Sequence, residues 1–253
     1  MSDLAICRFA YDGVVTSVVK LLESEANKSH VDQAGRNPLH WAACGGHLEL
    51  VKVLLSRGFD KDCRDHSNWT PLMIAVSAGR ENVASYLISH ENADVNVVNS
   101  TGQCCLHYCA SKNRYQLAKQ LLDCGAKADV HDWGGITPLH RAIATDHLEI
   151  AKLLLEYTTI EDDSNVGNEM GESEEKDNIG RMYSPLVNLT DKEKATPLHY
   201  ACEEGSIPAV SLLVNYGASF TCKNKDDKTP IDVAPDHLRL NILKQFKVKP
   251  CTQ

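Results

Sequence analysis

QCCLHYCASKNRYQLAKQLLDCGAKADVHD, residues 103–132, sets out a pattern that the chain uses repeatedly. It opens on Leu106-His107, runs through a short alanine-bearing helix and breaks at a polar Lys-Asn-Arg. It resumes in a helix ending at Leu121-Leu122 and passes Gly125-Ala126 into an extended run that reaches Asp132-x-x-Gly135. The same grammar returns as NPLHWAACGGHLELVKVLLSRG from Asn37, TPLMIAVSAGRENVASYLI from Thr70 and TPLHRAIATDHLEIAKLLLE from Thr137. It appears again as TPLHYACEEGSIPAVSLLVNYGA from Thr196 and TPIDVA from Thr229. Successive openings at 37, 70, 104, 137, 196 and 229 lie 33, 34, 33, 59 and 33 residues apart, so one phase is kept and a single interval is stretched.

A period of about 33 residues with a T-P-L-H-x-A opening is the ankyrin signature. It implies an all-α solenoid of helix-turn-helix units joined by finger-like β-turns, with five full repeats and two caps. Residues 1–36 read as an N-terminal capping repeat, 37–158 as repeats one to four, and 159–185 as an insertion. Residues 186–228 read as a finger and the fifth repeat, and 229–253 as a C-terminal capping repeat and tail. In such an array each unit contacts its neighbours and one elongated core runs through them.

Each repeat opens with helix-start chemistry. Asn37, Thr70, Thr137 or Thr196 can bond the free amides of the first turn, and the proline that follows each has no N–H to lose there. Leu39, Leu72, Leu106, Leu139 and Leu198 then point inward. In the outer helices Val51, Leu54 and Leu55 form an apolar stripe at helical spacing, and Gly58, Gly125 and Gly217 end the helix by turning left-handed. Cys104 and Cys105 stand where Thr-Pro is expected, which predicts a third full repeat without its cap. Met73 replaces one Leu-His histidine.

The net charge of −8 is uneven. Eight acids against Lys176 lie between 158 and 178, a local balance of −7, and everything else nets −1. No basic field for nucleic acid and no polybasic membrane patch results. The stretched interval carries its excess at about Thr159 to Pro185, after an outer helix expected to end near Tyr157. Its Glu, Asp, Ser, Asn and Gly content predicts an acidic surface loop that does not order itself. Thr158 and Thr159, each with an acid three residues on, are candidate phosphorylation sites. Met1 to Ala10 has Asp3 and Arg8 and no apolar block before a cleavage site, so no secretory leader is read there. The ten cysteines are then expected as free thiols.

Two constellations imitate chemical sites. Cys104, Cys105, His107 and Cys109 could suggest a metal-dependent sensor or enzyme, but Cys-x3-Cys lacks the paired hairpins of structural zinc sites. The Leu-His histidines 40, 107, 140 and 199 recur with the repeat, so each is expected to serve its own repeat by bonding backbone near the finger. No nucleophile or paired carboxylate recurs beside them, and no phosphate-binding glycine loop is present. The expectation is a protein without catalysis, cofactor or metal.

What remains is a binding surface on the concave side, formed by the residue after each Leu-His, the next helical turn and the finger tips. Trp41, Ile74, Tyr108, Arg141 and Tyr200 form one row, with Lys112, Glu203 and Glu204 on the next. Arg36, His66, Trp69, Trp133 and Lys192 lie at or near the tips, and Arg80 and Arg114 open outer helices. Aromatics and arginines anchor protein interfaces. The cations fall in the first half and Glu203-Glu204 in the last full repeat, an order that would hold a partner in one direction.

AYDG, GRNPLHWAACGGH, NWTPLMIAVSAGRENV, VNVVNSTGQCCLHYCASKNR and YGASFTCKNKDDKTPIDVA extend beyond the generic repeat consensus. Through them the chain resembles the gankyrin family of ankyrin-repeat chaperones of the 26S proteasome regulatory particle, nearly end to end outside the insertion. The resemblance implies binding of the C-terminal helical domain of the third regulatory-particle AAA ATPase in the concave groove, which gates premature docking onto the proteolytic core. It also implies a monomer before binding and a cytoplasmic and nuclear location. The family's contact positions fall on Arg36, Trp69, Arg80, Lys112, Arg114 and Glu204, while two family acids are replaced by Ala34 and His66. The family's Leu-x-Cys-x-Glu motif meets Tyr200-Ala201-Cys202-Glu203-Glu204, with Tyr in place of Leu, and retinoblastoma-protein binding is not carried over. The alternative is a general ankyrin adaptor or kinase-binding inhibitor with another partner.

Overall fold

The computed structural model of the chain describes residues 3–24, 29–163 and 183–246. Contacts divide it into two compact units, Met1–Lys127 and Ala128–Gln253. In the first, inner helices α1 (Asp3–Tyr11), α3 (Pro38–Gly45), α5 (Pro71–Ala78) and α7 (Cys105–Lys112) each pair with an outer helix. The outer helices are α2 (Val15–Leu21), α4 (Leu48–Ser56), α6 (Glu81–Ser89) and α8 (Tyr115–Asp123). The second unit has inner helices α9 (Pro138–Ala144), α11 (Pro197–Glu203) and α13 (Pro230–Val233). Its outer helices are α10 (Leu148–Asp163), α12 (Ile207–Asn215) and α14 (Asp236–Phe246). Within each unit, inner helix packs on the next inner helix, and among the outer helices α4 packs on α6, α6 on α8 and α10 on α12.

The repeat's small residues explain the close stacking. Leu39, Leu72, Leu139 and Leu198 are fully buried together with Ala42, Ala75, Ala142 and Ala201. Each buried leucine contributes roughly 1.5–3 kcal/mol by leaving water, and the alanines beside them let inner helices approach. Gly58, Gly125 and Gly217, at φ of 88°, 82° and 91°, close α4, α8 and α12 as expected.

Two expectations about helix ends change. Cys104 stands in for the threonine, and the third full repeat keeps a complete capping box, the Cys104 side chain accepting from the His107 backbone N–H as Thr196 does from His199. The Cys104 N–H donates to His107 Nδ1 at 3.2 Å, and the Cys104 sulfur lies 3.2 Å from the same nitrogen. The sulfur thus takes the hydroxyl's place in the same reciprocal arrangement. The outer helix of the fourth repeat does not stop near Tyr157 but continues to Asp163, 16 residues against nine in α4, α6, α8 and α12. Thr158 occupies the register of Gly58, Gly125 and Gly217, so the left-handed stop is absent. Its hydroxyl instead donates to Leu154 O and Leu155 O within the helix.

The helix extension takes up the first residues of the expected insertion, and the chain packs again from Tyr183. Ser184 is fully buried with its Oγ 2.7 Å from Thr158 Oγ1, Thr159 Oγ1 donates to Tyr183 O at 3.2 Å, and Pro185–Asn188 form a 3-10 turn. The rest of the expected acidic loop, 164–182, lies outside the described residues. No helix among the described residues is long and apolar enough to cross a membrane.

Candidate protein-binding face

The face is built on the fingers, and each finger on one side chain. Asp32, Asp65, Asn99, Asp132, Asp191 and Asn224 each stand five residues before a repeat opening. In each, Oδ1 accepts the backbone N–H groups two and four residues on, at 2.8–3.0 Å. This local bonding is what short Asp and Asn side chains do best in turns. Neighbouring fingers then join by backbone bonds, such as Ser100 N–H to Ser67 O at 2.8 Å and Lys192 N–H to Gly134 O at 2.9 Å.

The Leu-His histidines tie helix start to the next finger. His40, His140 and His199 accept a backbone N–H at Nδ1 from Asn37, Thr137 and Thr196. Their Nε2–H groups donate to Trp69 O, Ala195 O and Lys228 O at 3.1–3.2 Å. One nitrogen accepts and the other donates, so the rings are neutral. Burial lowers the pKa of all three, that of His140 to about 4.

The other finger carboxylate oxygen organises the row of predicted contact residues, which sequence reasoning did not foresee. Trp41 Nε1 donates to Asp32 Oδ2 at 2.9 Å, Arg141 Nη2 to Asp132 Oδ2 at 2.9 Å and Tyr200 OH to Asp191 Oδ2 at 2.7 Å. Asn99 Nδ2 donates to Tyr108 OH at 2.9 Å, and Tyr108 OH to Gln103 Oε1 at 2.6 Å. In the four bonds between a finger Asp or Asn and the helix, donor and acceptor are nine residues apart. The recurrence of Asp or Asn at the repeat period was the signal available in the sequence.

Ile74 breaks the rule and corrects an expectation. It is buried at 6 % exposure inside α5, where Pro71 to Val76 are all buried, and it is not an open contact residue. Having no donor, it leaves Asp65 Oδ2 to Arg36, whose Nε pairs with it at 2.9 Å across the fingers. The Arg36 guanidinium thereby lies 5.6 Å from the Trp41 ring centroid. Trp69 packs on Tyr108 with ring centroids 4.8 Å apart.

The cations at the helix turns are seated on glycines. Arg80, exposed, donates from Nε to Cys44 O at 2.8 Å and runs beside Gly46. Arg114 lies over Gly79, at a φ of 71° that strains any other residue, and a Cβ there would stand 2.3 Å from its Nη2 and push the guanidinium aside. Its Nε is buried with no hydrogen bond among the described residues. Lys112 is exposed at the end of α7. In the first unit the structure thus gathers Arg36, Trp41, Trp69, Arg80, Tyr108, Lys112 and Arg114. In the second, Arg141 and Tyr200 are held on finger acids, Glu203 and Glu204 are exposed, and Trp133 is 68 % exposed at its finger. Among the described residues no three His, Cys, Asp or Glu side chains converge as a metal-binding group. Burial raises the pKa of Cys105 and Cys109 far above the ordinary thiol range, so both stay protonated.

Comparison with known proteins agrees with this architecture. A family profile described as "Ankyrin repeats (3 copies)" matches residues 6–99 and 90–166, and one described as "Ankyrin repeats (many copies)" matches 183–234. The solved ankyrin repeat domain of Bcl-3 superposes with a TM-score of 0.71 at 22% identity, over 94% of this chain and 97% of that one, and shares the fold. The human transient receptor potential cation channel subfamily A member 1 is 29% identical over 74% of this chain, but this covers only 15% of the channel. In contrast, a Saccharomyces cerevisiae protein named "Probable 26S proteasome regulatory subunit p28" is 31% identical over 240 residues, covering 92% of this chain and 94% of that protein. An ankyrin array alone would match a larger protein in part, whereas this match runs along both chains. The chain belongs to the ankyrin-repeat proteins and, within them, to the gankyrin family of p28.

Proposed function

We propose that this protein is a non-catalytic assembly chaperone of the 26S proteasome regulatory particle, which binds the C-terminal helical domain of the third AAA ATPase of the base. The observation that carries the reading is the collinear similarity to p28 over 94% of that protein's length. It is supported by a face whose aromatic and cationic side chains are already fixed by intramolecular bonds. Preorganised side chains lose little freedom on binding, which favours affinity. On this reading the protein acts as a monomer in the cytoplasm and nucleus, and releases the ATPase before the base docks on the proteolytic core.

Affinity capture of the tagged protein from its own cell extract tests the reading, with co-purifying chains identified by mass spectrometry. Base ATPases without the proteolytic core are expected. Other proteins in their absence would turn the reading to a general ankyrin adaptor. Reversing Arg80 and Lys112 together to Glu should abolish binding of the purified ATPase domain. The variant should keep its helical spectrum and melt within a few degrees of wild type, since loss of the Arg80 bond costs only about 1 kcal/mol. Unchanged affinity would remove these two cations from the interface.

A further inference from the structure

We infer that the N-terminal cap carries an anchor pocket for one apolar side chain of the ATPase domain, flanked by an acid that meets Arg8. A cavity of about 240 Å³ opens between Cys7, Arg8, Tyr11, Asp32 and Trp41, lined almost wholly by apolar atoms. Tyr11 and Trp41 form its aromatic walls, edge to face with centroids 6.0 Å apart.

The polar groups of Cys7, Asp32 and Trp41 are engaged elsewhere. Trp41 Nε1 and the Ala34 and Arg36 amides occupy Asp32, and the Cys7 thiol points to Arg36 O at 3.8 Å. Burial pushes the Cys7 pKa up to about 11, which keeps the thiol neutral. A polar guest would therefore give up its bonds to water and find none at these three residues, whereas an apolar guest gains by leaving water. The volume lies below the roughly 300–1,000 Å³ of small-molecule sites, which suits a single side chain.

Charge selects the guest's neighbour. Arg8 is 84% exposed along its side chain and pairs with Asp12 at 3.8 Å, and Arg36 lies by the Trp41 ring. Arg36 is already paired with Asp65, so Arg8 is the cation at the cavity that a partner presenting an apolar residue beside an acid complements. Tyr11 and Val31, next in sequence to cavity residues or among them, are 45% and 48% exposed, so the apolar surface continues beyond the cavity. The pocket also adjoins the predicted contact row through Trp41.

The inference rests on the proposed ATPase partner, and the test separates the two. The purified C-terminal domain of the third ATPase is titrated into wild-type protein, Tyr11→Ala, Tyr11→Phe and Arg8→Glu. Tyr11→Ala should weaken binding about tenfold or more, as loss of an aromatic anchor does, and Tyr11→Phe should stay within about twofold because the wall remains. Arg8→Glu should weaken binding several-fold at low salt and little at high salt. Tyr11 is half exposed, so melting temperatures should move little and serve as the folding control. Wild-type binding with Tyr11→Ala unaffected would overturn the pocket alone. Absence of wild-type binding would overturn the partner and the pocket's occupant with it. Self-association that is lost in Tyr11→Ala, with ATPase affinity intact, would assign the pocket to a second copy of the chain and overturn the inference.

Discussion

At the residue scale the histidines link sequence to stability most directly. His140 is fully buried, accepts at Nδ1 and donates at Nε2, so protonation would place a charge in the core and break its bond from the Thr137 amide. Burial holds its pKa near 4, below the usual 6.5. The unfolded chain therefore binds the proton first. Stability is fully present above pH 6.5, declines as pH falls through the window, and has lost its whole contribution below about 4. Linkage puts the loss from His140 at pH 5 at about 2 kcal/mol, with His40 and His199 adding in the same direction. Urea unfolding of wild type and His140→Gln at pH 7 and pH 5 checks this. The variant should be less stable at pH 7 and show a shallower drop between the two values, and an equal drop would show that His140 does not carry the pH dependence. The role of this residue could be read from its recurrence alone. That of Asp65 could not, because its partner Arg36 depends on Ile74 having nothing to donate.

At the element scale the repeat openings and helix order were legible because helix caps and apolar periodicity are local. Departures came where one local signal was replaced. Cys104 removes a hydroxyl, but the repeat's own histidine still accepts the amide, so the helix starts on schedule. Thr158 removes a glycine stop, and α10 continues to Asp163. The shared helix position of Trp41, Tyr108, Arg141 and Tyr200 was legible but their bonds to the fingers were not, since a nine-residue pairing crosses from finger to helix and has no periodic mark within either element. The Thr158–Ser184 bond and the Thr159–Tyr183 bond join the end of α10 to the returning chain. They define how much of the insertion can be removed. Replacing 164–182 with a short Gly-Ser linker should leave the melting temperature within a few degrees of wild type, because closing a shorter loop changes the entropy only slightly. Extending the deletion to 159–185 removes buried Ser184 and both clasp bonds, and should lower the melting temperature by clearly more. Equal losses for the two deletions would mean that the clasp contributes nothing.

For the whole molecule the decisive property is where charge sits along the chain. The net −8 is almost all in the stretch from 158 to 178, which leaves the repeats near neutrality. Against that background Arg36, Arg80, Lys112 and Arg114 stand in the first unit and exposed Glu203 and Glu204 in the second. Arg36 differs from the others. Its charge is opposed by buried Asp65, so it shapes the Trp41 surface more than it attracts an acid, while Arg80 and Lys112 have no ion pair among the described residues. Exposed charges act over about a Debye length, roughly 10 Å at 0.1 M salt, and so govern encounter more than the lifetime of the complex. Raising salt from 50 to 300 mM should therefore slow association with the ATPase domain at least several-fold and change dissociation much less, as measured by stopped-flow mixing. Glu203→Lys with Glu204→Lys should slow association at low salt if the partner meets the second unit with basic residues. If only the first-unit reversal slows it, the partner is held by the cations of residues 80–114 alone, and the ordered charges do not set its direction.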